Sequence, residues 1–208
     1  MHALIIANGT VPSRRLVRKL ASTADIVVCA DGGANIARRL HIRPDVIVGD
    51  FDSMAPATKK FFREIPQLAT PDQNSTDMEK ALQYCVERRI TSADVVGALG
   101  GRVDHTLGNL GCFKRFGRRL HLRFVDSFAE LFLVQQSIRI SVNRGDELSL
   151  IPLDRCTGIS TTNLKYSLHN DLLETGIRDG ISNVATARTV GVRVRHGTLL
   201  VYRIRNKT

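Results

Sequence analysis

The sequence predicts an α/β fold: an N-terminal, mostly parallel sheet flanked by helices, followed by a small C-terminal antiparallel β domain. Three observations carry this. Residues 1–126 alternate short apolar runs with stretches of helical spacing, the pattern of crossover units in a parallel sheet. From Ser127 the apolar runs are separated by turn signals and no helical period persists. The change falls at Asp126–Phe128, so the chain divides into residues 1–126 and 127–208.

The first element is an apolar run, Ala3–Ala7. No basic segment precedes it and no small-residue cleavage pattern follows, so it reads as a strand and not an export signal. The cytoplasm is the expected location, and no apolar run is long enough for a transmembrane helix. Further strands are expected at Ile26–Ala30, Val46–Val48, Val95–Leu99 and Leu120–Val125. Helices are expected at Pro12–Ala21, Ala34–Leu40, Ala55–Ile65, Asp77–Arg89 and Asp104–Phe116. The helix from Asp77 is the clearest: Met78, Ala81, Leu82, Cys85 and Val86 recur at helical spacing, and Thr76 with Glu79 forms a capping-box pattern. In the second half, strands are expected at Phe128–Gln135, Ser137–Val142, Glu147–Ile151, Thr189–Arg195 and Thr198–Ile204.

The formal net charge of +10 raises the question of nucleic acid. Residues 1–126 hold 19 basic and 13 acidic residues, and residues 127–208 hold 11 and 7, so the excess is spread and forms no tail. With no Trp and three Tyr, aromatic interleaving is lacking too, which argues against a nucleic-acid partner. Cys29, Cys85, Cys112 and Cys156 form no C-x-x-C pair and read as buried free thiols.

Four segments carry chemistry. Ala30-Asp31-Gly32-Gly33-Ala34-Asn35 follows a strand and opens a helix. Its glycines either let a phosphate approach the helix N-terminus or simply allow a tight turn. Gly49-Asp50-Phe51-Asp52-Ser53 puts two acids at the carboxyl end of a strand, where ligands bind in open α/β sheets. In an extended segment acids two apart point the same way, which suits magnesium; the alternative is a solvated loop with a helix cap. Asp77 opens its helix at the same sheet edge, either as a further metal carboxylate or as an acid favoured by the helix dipole. Gly97-Ala98-Leu99-Gly100-Gly101-Arg102-Val103-Asp104-His105, with Asn109 a turn later, is a glycine-rich cradle. There Arg102 can neutralise phosphate and Asp104 can accept a proton, or Asp104 caps the helix.

Together these segments resemble the thiamine pyrophosphokinase family: ADGGAN at Ala30–Asn35, GDFDS at Gly49–Ser53, DQNSTDMEKAL at Asp72–Leu82 and GALGGRVDHTLGN at Gly97–Asn109. The likeness extends to Leu164-Lys165-Tyr166 and Gly180-Ile181-Ser182-Asn183. The resemblance implies an α/β domain that binds ATP and magnesium, a β-sandwich-like domain that grips thiamine, and a homodimer with its active site between subunits. It implies magnesium on Asp50, Asp52 and Asp77, with Asp104 and Arg102 at the reacting phosphates. ATP would be surrounded by Asp31, Gly33, Asn35, Gln73, Thr76, Arg102, His105 and Asn109. Ser182 and Asn183 would meet the thiamine pyrimidine from the partner subunit. The implied reaction moves pyrophosphate from ATP to the thiamine hydroxyl, with AMP leaving.

The chain departs from that pattern at Asn74, where many relatives carry aspartate. It departs again at Asn163 and Ser167, where glycine and proline are common, and at Val184, where glutamate is frequent. Most of these departures concern the acceptor side. They keep open a kinase or pyrophosphokinase for another small alcohol, beside a basic nucleotide- or nucleic-acid-binding module of a different class.

Overall fold

The computed structural model describes residues 1–70 and 74–205 and divides into two units, Met1–Ser127 and Phe128–Thr208.

The first unit contains strands β1 (His2–Ile6), β2 (Ile26–Ala30), β3 (Val46–Gly49), β4 (Gln67–Ala69), β5 (Ser92–Val96) and β6 (His121–Val125). Between them lie helices α1 (Arg14–Thr23), α2 (Gly33–Leu40), α3 (Pro56–Phe61), α4 (Asp77–Glu87) and α5 (Val103–Phe116). The strands lie in the order β4-β3-β2-β1-β5-β6 and every neighbouring pair is parallel. The chain therefore builds one side of β1 first and then crosses to the other. The switch point lies between β1 and β5, where the loops that follow these two strands diverge.

Alternation along the strands sorts the core. Leu4 and Ile6 of β1 and Val27 and Cys29 of β2 join one apolar cluster with Val17 of α1 and Ala34, Ala37 and Leu40 of α2. On α4, Met78, Ala81, Leu82 and Cys85 are buried where that helix packs on β2 and β3 and against α5. Phe113 of α5 stacks on Phe124 of β6 with ring centroids 4.2 Å apart. Burying each such aromatic contributes about 2–3 kcal/mol.

Several expected bounds move for local reasons. The strand expected at Val95–Leu99 ends at Val96, because Gly97 takes φ +73° and turns the chain, leaving Leu99 in the following loop. α3 stops at Phe61 and not Ile65, with Phe62 leaving helical geometry as its C-cap at φ -100° and ψ 22°. The capping box of α4 forms in part. Thr76 Oγ1 accepts the Glu79 N–H at 3.3 Å, while the Glu79 carboxylate accepts from Ser75 and Arg115.

The second unit holds two antiparallel sheets. One orders as β12 (Gly180–Val184), β9 (Glu147–Pro152), β14 (Leu199–Ile204) and β7 (Ala129–Val134). The other orders as β11 (His169–Leu173), β10 (Cys156–Thr162), β13 (Thr189–Arg193) and β8 (Ser137–Ser141). Leu148, Leu150, Leu199 and Val201 from the first share one core with Ile140, Ile159, Leu173, Val190 and Val192 from the second. A core shared between two sheets is the β-sandwich arrangement. Strands β4, β10, β11 and β12 are absent from the sequence expectation. They are short or rich in polar residues, and β10 and β12 carry register shifts that break the alternation on which strand reading depends.

Candidate active site

The carboxyl edge of the parallel sheet brings Asp31, Asp50 and Asp77 together: one carboxylate oxygen from each lies within 4.8 Å of the others. Asp31 follows β2, Asp50 follows β3, and Asp77 opens α4. Gly49 makes the approach possible. A Cβ at that position would stand 2.8 Å from the Asp31 Cβ and 3.2 Å from Asp77 Oδ1.

Asp31 is 1% exposed, with a left-handed φ of 37°. Its Oδ2 accepts the Ser53 N–H at 3.0 Å. Its Oδ1 is buried and has no hydrogen-bond partner among the described residues. Burial pushes the Asp31 carboxyl up to about 6, with the Asp77 charge adding to the shift against the Ser53 bond. Asp77 is also raised, first by burial, with Lys80 opposing and Asp50 adding. Asp50 is lowered, first by the Asp52 N–H and further by Lys80. A buried, unpartnered carboxylate oxygen beside two more carboxylates is a donor set that fits a hard divalent cation such as magnesium.

The sequence reading puts Asp52 on the metal and Asp31 on the nucleotide; the structure clusters Asp31 with Asp50 and Asp77 and sets Asp52 beside them. Phe51 adopts φ 66°, so Asp50–Asp52 is a turn and not an extended pair. The Asp52 N–H donates to Asp50 Oδ1 at 3.3 Å, and the exposed Asp52 carboxylate accepts from Ser53 Oγ at 2.9 Å. Asp52 stands beside the three clustered acids, and its charge still raises Asp77.

The other expected nucleotide residues largely build the site. A Cβ on Gly33 would overlap the Ile6 carbonyl oxygen, so glycine seats α2 directly on β1. Asn35 Nδ2 donates to Ser53 O at 2.8 Å and its Oδ1 accepts the Ala55 N–H at 3.0 Å, which clamps the acidic loop. Thr76 is the α4 cap, and Asn109 Nδ2 donates to Ala98 O at 2.7 Å, tying the glycine loop to α5. His105 is exposed. Gln73 lies outside the described residues. Arg102 forks onto Asp104, with Nε to Oδ1 at 3.1 Å and Nη2 to Oδ2 at 2.5 Å. The Arg102 bonds hold the Asp104 carboxyl down at about 2. Arg102 occupies the N-cap position of α5 without a side-chain capping bond, and Asp104 lies in its first turn.

In the second unit Ser182 is exposed, with a left-handed φ of 59°, and its N–H donates to Ser149 Oγ at 3.2 Å. Asn183 is buried and its amide is spent on the chain itself. Oδ1 accepts the Tyr166 N–H at 3.0 Å and Nδ2 donates to Tyr166 O at 2.7 Å. Asn163 adopts φ 61°, a conformation that asparagine tolerates better than most residues, in place of glycine.

Residues 17–124 match the family model for the catalytic domain of thiamin pyrophosphokinase, and residues 135–199 match that for its vitamin B1 binding domain. The chain belongs to the thiamin pyrophosphokinase family. It is 28% identical to thiamine pyrophosphokinase 1 of Oryza sativa subsp. japonica, over 99% of this chain and 88% of the relative. It is 30% identical to thiamin pyrophosphokinase 1 of Caenorhabditis elegans, over 78% of this chain and 72% of the relative. Its fold superposes on the thiamine pyrophosphokinase of Bacillus subtilis with a TM-score of 0.87, at 21% identity and covering 100% of both chains.

Two features of this chain escaped the sequence reading. Lys80 sits buried at the acid cluster, hidden because it falls within an otherwise ordinary amphipathic helix. Asn8 and Gly9 close the other side of the edge: Cβ atoms on Gly32 and Gly9 would overlap the Asn8 side chain and Gly97 O. The Asn-Gly pair after the first strand was the available signal.

Proposed function

We propose that the protein is a thiamine diphosphokinase, moving the pyrophosphoryl group of ATP to the hydroxyl of thiamine to give thiamine diphosphate and AMP. The observation that carries the phosphate chemistry is the Asp31–Asp50–Asp77 cluster at the edge of the catalytic domain, with an unpartnered buried oxygen facing no protein donor. Asp31, Asp50 and Asp77 would hold magnesium, with Asp52 at hand beside them. The ion supplies charge neutralisation at phosphate oxygens.

The chain's own residues do the rest. The acceptor oxygen attacks the β-phosphorus in line, the bond to the oxygen bridging to the α-phosphorus breaks, and AMP leaves. Such transfer depends chiefly on positioning and charge. The Gly97–Gly101 turn leaves room for phosphate against the backbone. Arg102 is exposed and exchanges its Asp104 partner for a phosphate oxygen. Asp104, held down at about 2 while paired, orients the acceptor hydroxyl rather than removing its proton early. Asn183 holds Tyr166, and Ser182 offers its hydroxyl to the pyrimidine.

Exposed apolar residues support a homodimer with the site between subunits. Val103 and Leu107 are 72% and 64% exposed on α5, and Tyr166 and Ile181 are exposed in the second unit. The four buried free thiols support the cytoplasm as its compartment. Among the described residues no helix is long and apolar enough to cross a membrane.

Incubation with ATP, magnesium and thiamine tests the reading. AMP and thiamine diphosphate in equal amounts are expected. ADP in place of AMP makes the protein a simple kinase, and AMP released only with another alcohol moves the acceptor, as Asn163, Ser167 and Val184 allow. Salt-sensitive binding of nucleic acid without turnover overturns the enzyme reading.

A further inference from the structure

Lys80 sits in an unusual setting for a lysine. It lies in the first turn of α4, where the positive end of the helix dipole disfavours a cation. It is also buried at 7% exposure, and lysine is rarely buried without a partner. A residue that conflicts with its local setting is expected where function requires it. Its surroundings give the reason. Lys80 Nζ lies 3.5 Å from Asp77 Oδ1 and 3.6 Å from Asp50 Oδ2, two of the three clustered carboxylates. The third, Asp31, keeps its buried Oδ1 unpartnered.

We propose that Lys80 is a resident counter-cation of the cluster, which holds Asp50 and Asp77 together in the free protein and opposes divalent-cation binding until a polyphosphate arrives. One ammonium cannot balance three carboxylates, so the cluster still attracts a cation. The same ammonium repels that cation at short range. The phosphate oxygens of a nucleotide reverse the balance, because they add negative charge that both cations can share. Metal and nucleotide then favour each other's binding, by the same factor in each direction. The polyphosphate half of this rests on the phosphoryl-transfer reading; the metal half rests on the carboxylates alone.

The test is a titration of the whole protein with magnesium by calorimetry, and with manganese by electron paramagnetic resonance. Wild type, Lys80→Met and Lys80→Arg are compared without nucleotide and then with a non-hydrolysable ATP analogue. Lys80→Met should bind the free metal about tenfold tighter or more, and Lys80→Arg should stay within about threefold of wild type. The tightening that the analogue gives wild type should shrink in Lys80→Met. The Lys80→Met protein should also melt lower without metal and recover when metal is added. Equal or weaker free-metal binding by a cooperatively melting Lys80→Met protein overturns the proposal, as does an unchanged effect of the analogue. If Lys80→Met does not fold, Lys80→Gln carries the same titration. A protein that makes no thiamine diphosphate yet shows tighter metal binding in Lys80→Met refutes the acceptor and leaves the counter-cation standing.

Discussion

The Ser53 N–H donates to Asp31 Oδ2 at 3.0 Å, so the loop after β3 is tied to the carboxylate after β2. One oxygen of Asp31 thus builds the site, and the other is left buried without a partner beside Asp50 and Asp77.

That division sets a pH dependence. The Asp31 carboxyl is raised from 3.8 to about 6 in the folded protein. A raised carboxyl stabilises the fold fully below its unfolded value, and that contribution is lost as pH rises through about 6. Metal-free protein should therefore lose roughly 1–3 kcal/mol between pH 4 and pH 7 from this group. Thermal melts in chelator should show the loss, Asp31→Asn should flatten it, and magnesium should raise the melting temperature more at pH 8 than at pH 5.

Asp52→Asn should lower turnover by roughly tenfold or more and leave the melting temperature nearly unchanged. The Asp52 carboxylate is exposed and its hydrogen bond is with Ser53 Oγ. Steady-state kinetics with rising magnesium, beside a melt, check this. Near-normal turnover at saturating magnesium would mean that Asp52 takes no part beside the cluster.

Asn183→Ala should destabilise the second unit by about 1–2 kcal/mol, since the buried Asn183 amide that holds the half-buried Tyr166 N–H and C=O is lost. The KM for thiamine should rise more than the KM for ATP. A KM change confined to ATP would contradict the proposed role of the Tyr166 loop.

Gly33→Ala should cost about 2 kcal/mol or more, because the new methyl meets the Ile6 carbonyl where α2 rests on β1. Denaturant unfolding measures it. A stability equal to wild type would mean that α2 can lift from the sheet without penalty.

Arg102→Met should return the Asp104 carboxyl from about 2 toward its ordinary range, because the guanidinium bonds are the leading cause of its depression. Carboxyl carbon NMR titration reads this directly. Turnover should fall by roughly 100-fold through loss of the phosphate partner.

Much of the chemistry could be read along the chain because it sits in short, contiguous loops. Asp31, Asp50, Asp77 and Asp104 each follow a strand or open a helix, and glycines mark the turns that carry them. Lys80 could not be read so, since its ion pair with Asp50 joins it to a residue in a distant segment, brought near only by the sheet. The turn at Asp50–Asp52 was hidden for a different reason. A left-handed φ at Phe51, a residue that rarely adopts one, turns the acidic segment.

The sequence by itself determined the division into an α/β half and a β half, because apolar periodicity and turn chemistry are local. It also determined the loops that bear the chemistry and, through their motifs, the resemblance to the family. Only the tertiary structure decided which atoms of those loops meet. Strand order places the ends of β2, β3 and β4 side by side, and backbone turns aim the carboxylates. Burial then settles which oxygen is bonded and which is left open. Those are properties of packing between distant segments, and no pattern within one segment encodes them.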